Sequence, residues 1–294
     1  MDSQVVIGIL LNLFILLVIL QKYDKEKSVH SGDVMRIAMN RSNIILTLVL
    51  NSSLFCFIFL PGVYNTLSVY FFLLILYSMG SSLYLTAIFC FFLFIKIVPF
   101  RSSILALVKR KVTLVIPWLV VAVEVFSFCC SFLSFLFSAV KKEVYTNSSA
   151  VPSSSITNDR RLVYLLTVAL FFMPYILMAM TTILAVGSLL LHTHKMKMMK
   201  MASPINTGTY TRTVYKMISF FICHTLFCLV LFLACFSGLI GGDPSFSAIQ
   251  MIMFLLLPAN SLIIIYSNNK LRNAWKMMIV CHLQSLFNIT DGVQ

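Results

Sequence analysis

Seven apolar stretches, each about the length of a bilayer crossing, occupy most of this chain: roughly 5–21, 37–60, 67–95, 112–138, 162–191, 214–240 and 245–267. A spanning helix needs about 20 largely apolar residues. The stretches are continuous rather than alternating, which favours helices over barrel strands. Short polar breaks separate them, so consecutive helices cross antiparallel. The expected fold class is an all-α membrane protein: one seven-helix bundle over 1–294, ending in a short tail, 268–294. Composition agrees. Hydrophobic residues make up 60% of the chain and charged residues only 11%. A soluble domain carries roughly 25% charged residues, so an ordinary soluble enzyme and a disordered chain are both excluded.

The net charge of +13 would, alone, point to nucleic acid. Its distribution points elsewhere. Seventeen of the 22 basic residues fall in the 21–36 and 96–111 loops, the 192–216 segment and the tail. Only Lys141, Lys142, Arg160 and Arg161 fall on the opposite side, and Arg41 lies within the second stretch. Positive charge marks the cytoplasmic face, so the N-terminus is expected outside and the C-terminus inside. The first stretch has Asp2 before it and Lys22, Lys25 and Lys27 after it, which reads as an uncleaved span rather than a signal peptide. Of the sequons at Asn40, Asn51, Asn147 and Asn288, this topology leaves Asn147, in the 139–161 outer loop, as the glycosylation candidate. The eight cysteines avoid the outer loops, so no structural disulfide is expected there, while Cys281 in the tail is a palmitoylation candidate.

With so short an outer surface, a ligand must enter the bundle from its outer end. In the third helix Ser81, Tyr84, Leu85 and Ile88 share a face at i, i+3, i+4 and i+7. Asn51 stands ten residues beyond Arg41, and Gln250 and Phe254 lie one turn apart in the outer half of the seventh helix. These seven residues are the expected lining of a mostly apolar ligand pocket. Two charges lie at depth, where they are costly and usually functional. One is Arg41. The other, Glu124, is protonated, pairs with Arg41 or faces a polar cavity, and the sequence leaves all three open. On the inner side Lys96, Lys109, Arg110, Lys111, His192, Lys195 and Lys216 ring the helix ends, suited to anionic inner-leaflet lipids or to a protein partner docking there. Leu271, Ala274, Trp275 and Met278 form one stripe of a short interfacial helix. No catalytic constellation is present, and His192 with His194 lacks further metal ligands nearby. No cofactor, metal or nucleic acid is therefore expected. A small seven-helix transporter is disfavoured, since no repeated halves appear.

The rhodopsin-like marks are missing, but a different set of motifs runs through the chain. Gly8, Asn12, Phe14 and Ile15 resemble the first-helix G-x-x-x-N-x-F-I of the bitter taste receptors, the type 2 taste receptor family. Ala38-Met39-Asn40-Arg41 resembles the second-helix A-x-S-R, and Phe94-Ile95-Lys96-Ile97 the third-helix F-L-K-I. Ser188-Leu189 with His192-Thr193 and Lys195-Met196 is similar to the fifth-helix S-L-W-K-H-T-K-K-M. Lys216 with Ile218-Ser219-Phe220 resembles the start of the sixth helix, and the run from Asn260-Ser261 to Lys270-Leu271 resembles the end of the seventh. The chain departs from the family at Asn260, where His is usual, at Tyr84, where Trp is common, and at Ala185, where Leu is usual. These departures suggest an outlying, non-mammalian branch. The resemblance implies a plasma-membrane receptor for small-molecule agonists, coupled to gustducin or another inhibitory-class heterotrimeric G protein. It also implies an activation-linked network of Arg41, Asn12, Asn260 and Ser261. Vomeronasal type 1 pheromone receptors are the nearest rival, and assembly into a receptor oligomer is left open.

Overall fold

The computed structural model describes residues 2–26, 31–97, 103–147, 171–191, 207–240 and 258–291. Eight helical segments appear among them. They are α1 (Asp2–Glu26), α2 (Ser31–Phe59), α3 (Pro61–Ile97), α4 (Ser103–Asn147), α5 (Phe171–Leu191), α6 (Thr207–Ile240), α7 (258–267) and α8 (Asn269–Asp291). Six of them, α1 to α6, are long and apolar enough to cross a membrane. The described part of α7 covers the C-terminal portion of the seventh apolar stretch.

The helices overrun their apolar stretches because backbone hydrogen bonds continue wherever nothing interrupts them. Residues 61–66, expected as an outer break, are the first turns of α3. Only Leu60 separates α2 from α3, with Leu60 N donating to Cys56 O and Tyr64 N to Leu60 O. Pro61 has no N–H and sits in the first helical position, where none is required. The 139–161 break is shortened likewise: α4 runs on to Asn147.

The bundle is inverted relative to a soluble protein. Trp118 is 77% exposed, and Leu114, Met173, Ile183 and Leu191 also face outward. Asn12, Asn40, Asn43, Ser78, Ser81, Thr86 and Ser261 are fully buried. This is the arrangement lipid demands, because hydrocarbon outside gives no reason to hide apolar surface and every reason to hide polar groups. The helix α3 is the central post, enclosed over 78% of its apolar window, against 22% for α4. It packs on α2, α4 and α6, while α1 touches α2 and α8.

Candidate functional site

Small polar side chains hold α2 against α3. Along α2, Asn40, Asn43 and Thr47 recur at i, i+3 and i+7, one buried face of the helix. Across the seam, the Ser42 and Ser81 hydroxyls meet at 2.8 Å, and Ser82 Oγ donates to Asn43 Oδ1 at 2.8 Å. Such short groups let two backbones approach closely and satisfy each other in a medium without water.

Beside this seam a cavity of about 30 Å³ opens between α2, α3, α6 and α7. Asn43, Ser82, His224 and Asn260 give it polar walls, and Leu46, Met79 and Phe227 close it. His224 is buried on α6, its Nδ1 at 2.9 Å from the Phe220 carbonyl oxygen. Two atoms there, Asn43 Nδ2 and Asn260 Oδ1, are buried without a hydrogen-bonding partner in the protein. A donor and an acceptor so placed suit a water molecule or a small polar guest. Next to the cavity, Ser261 Oγ donates to Asn12 Oδ1 at 3.0 Å, and Asn12 Nδ2 donates to the Gly8 carbonyl at 2.7 Å, tying α7 to α1.

Arg41 turns the other way. Successive helix residues rotate by about 100°, so Arg41 points roughly opposite Asn43, away from α6 and α7. Its guanidinium forms an ion pair with Glu124 on α4 at 2.5 Å, and Tyr77 Oη on α3 donates to the second Glu124 oxygen at 2.7 Å. The Arg41 side chain is 52% exposed and that of Glu124 only 15%, so the pair lies along the outer α2–α4 groove. Among the network residues expected together, the structure thus joins Asn12 with Ser261, sets Asn260 at the cavity wall, and gives Arg41 its ion pair on the fourth helix.

The expected pocket residues divide between neighbours. Ser81 faces α2, and Leu85 is fully buried in the central core. Ile88 packs half-buried against that core. Tyr84 meets Phe126 of α4 edge to face at 5.4 Å and lines a cavity of about 20 Å³ with Gly80, Ser127, Cys130 and Phe171. Asn51 is half-buried on α2. Gln250 and Phe254 lie outside the described residues. Among the basic residues expected at the inner end, Lys96 and Lys111 are exposed and Lys216 half-buried, the last within electrostatic reach of Arg36, Lys96, Arg212 and Arg272. Lys109 and Arg110 fall on the described backbone of α4, whereas His192 and Lys195 lie outside the described residues. Asn147 is the last residue of α4, and Cys281 falls within α8.

His224, Asn43 and Ser82 were missed by sequence reasoning. Their signal was present as isolated polar residues at helical spacing inside apolar runs, which in lipid is as telling as a charge.

The family model described as taste receptor protein (TAS2R) matches residues 1–283. Among curated proteins, taste receptor type 2 member 14 of Gorilla gorilla gorilla is 26% identical over 98% of this chain and 92% of its own length. Taste receptor type 2 member 50 of Pan troglodytes is 25% identical, over 95% of this chain and 94% of its own. The human taste receptor type 2 member 39 is 26% identical, over 94% and 84%.

Proposed function

The chain belongs to the taste receptor protein (TAS2R) family, and from that premise we propose that it is a G-protein-coupled chemosensory receptor for extracellular bitter small molecules. Family and apolar helices together make it a multi-pass protein of the plasma membrane. The single observation that carries the functional reading is the family match across nearly the whole chain, from the first helix into the tail.

The bundle is read as seven spans with the N-terminus outside. Agonists enter at the outer end and bind among the outer parts of helices 2, 3, 5, 6 and 7, with Asn51, Tyr84, Ile88, Gln250 and Phe254 the proposed contacts. Ser81 and Leu85 stand behind that surface as its support, since both are fully buried. Binding favours one of two pre-existing arrangements of the bundle, by no more than the agonist's differential affinity for them. The polar cavity walled by Asn43, His224 and Asn260 is the element biased, because it touches α2, α3, α6 and α7 at once. In the favoured arrangement the inner ends of helices 3, 5 and 6 part to admit the α subunit of a gustducin-like or other inhibitory-class G protein. Lys96, Lys109, Arg110, Lys111, His192, Lys195 and Lys216 are its proposed contacts.

The test is a panel of bitter compounds applied to cells co-expressing the receptor and a promiscuous G protein, read as intracellular calcium. The expected result is a concentration-dependent response to some members, abolished by Lys216→Glu with surface expression intact. A receptor that reaches the surface and answers no bitter compound, yet responds to pheromone-like ligands, overturns the reading.

A further inference from the structure

A third cavity, of about 640 Å³, lies at the opposite end from the outer mouth, between the inner ends of α1, α2, α3, α4 and α8. Its charged walls are Lys22 of α1, Asp33 and Arg36 of α2, Lys96 of α3 and Lys270 of α8. Among the described lining residues, four cations thus face one carboxylate, a formal surplus of three positive charges. Asp33 is shared: Lys22 Nζ reaches its Oδ2 at 2.5 Å, and Arg36 Nη1 its Oδ1 at 2.6 Å. A donor also remains over. Arg36 Nε is buried without an acceptor in the protein. The deeper wall is apolar, formed by Val18, Ile19, Phe92 and Leu93. A surplus of cations, a buried guanidinium donor and an apolar back wall describe a receptacle for a polyanion joined to something greasy.

We propose that this cavity binds a multiply phosphorylated headgroup of the inositol phosphate type. Lys96 and Lys270 at the rim make the first contact, while Arg36, held in place by Asp33, offers the planar fork that suits phosphate oxygens. Bound there, the anion bridges α2, α3 and α8 and braces the junction at Asn268 between α7 and α8. The headgroup has two sources, an inner-leaflet phosphoinositide or the free inositol phosphate. Which leaflet the cavity meets rests on the proposed orientation, but the binding itself does not.

The experiment uses the full-length receptor in phosphatidylcholine nanodiscs, without agonist or G protein, titrated with dioctanoyl phosphatidylinositol bisphosphate. Near a membrane each Lys contributes about 1 kcal/mol to anion binding, so Lys96→Gln with Lys270→Gln weakens binding about thirtyfold. The charge-matched pair Arg212→Gln with Lys276→Gln, exposed and outside the cavity, changes it by less than threefold. Free inositol trisphosphate forms the second arm. Binding of the lipid alone assigns the membrane source, and equal competition by the free headgroup assigns the soluble one; both keep the site. Equal losses from the two variant pairs show diffuse attraction to basic surface and overturn the proposal, as does undetectable binding to the unmodified receptor. A receptor that answers no bitter compound would leave this result standing.

Discussion

Asn12 and Arg41 show how differently a polar residue is treated inside and at the edge of this bundle. Asn12 is buried among helices, and its amide is satisfied on both sides, by the Gly8 carbonyl and the Ser261 hydroxyl. Interhelical bonds of this kind contribute modestly in a membrane protein, because the separated helices also find partners. Asn12→Ala is expected to cost about 1 kcal/mol, seen as a lower thermal midpoint in detergent. Arg41 is the harder case. Its guanidinium and the Glu124 carboxylate neutralise each other beside lipid, and removing one leaves the other as an uncompensated charge. Arg41→Met alone is expected to destabilise by about 3 kcal/mol and sharply reduce the folded fraction at the cell surface. Arg41→Met combined with Glu124→Gln should recover most of that loss, since Gln still accepts from Tyr77. Equal expression of the single and double variants would show that the pair does not couple α2 to α4.

At the scale of the element, Pro117 explains a contact that is otherwise odd. It stands inside α4 and has no N–H, so the carbonyl of Thr113, four residues back, loses its intrahelical donor. Ser31 Oγ, at the first turn of α2, donates to that carbonyl at 2.9 Å. One helix thus repairs a gap in another and fixes the N-terminal end of α2 against α4. Ser31→Ala is expected to cost about 1 kcal/mol in the native background. In a Pro117→Ala background, where the helix supplies its own donor, the same substitution should cost almost nothing. A double-mutant cycle on thermal midpoints reads this directly, and additive effects would sink the repair. The apolar lengths of α1 to α6 were plain in the sequence, because a bilayer leaves little freedom in what spans it. The start of α3 was not. Pro61-Gly62 resembles a turn, and only the backbone shows that Pro61 opens a helix. Likewise the depth of Arg41 was legible from residue counting, whereas its partner depended on how α2 is rotated against α4.

The whole molecule adds a constraint that neither residues nor elements carry: one orientation for every helix. Charge asymmetry supplies the expectation, with the N-terminus outside, and the positions of the sequons supply an independent check. Asn51 lies inside α2 and Asn40 is buried there, so neither is open to a glycosylating enzyme in the folded bundle. Asn147 ends α4, at the start of the fourth connection and after four passages, and belongs on the same side as Asp2 if the bundle alternates. Asn288 lies on α8 beyond the last span, on the side of the basic ring. One orientation therefore exposes Asn147 to the secretory lumen and shields Asn288; the reverse does the opposite. In cells expressing an N-terminally tagged receptor, the tag should stain without permeabilisation. Glycosidase treatment should increase gel mobility, and Asn147→Gln should abolish that shift while Asn288→Gln leaves it unchanged. A shift lost with Asn288→Gln, or a tag seen only after permeabilisation, would invert the bundle. The basic ring and the phosphate-binding cavity would then face the wrong side to meet a G protein.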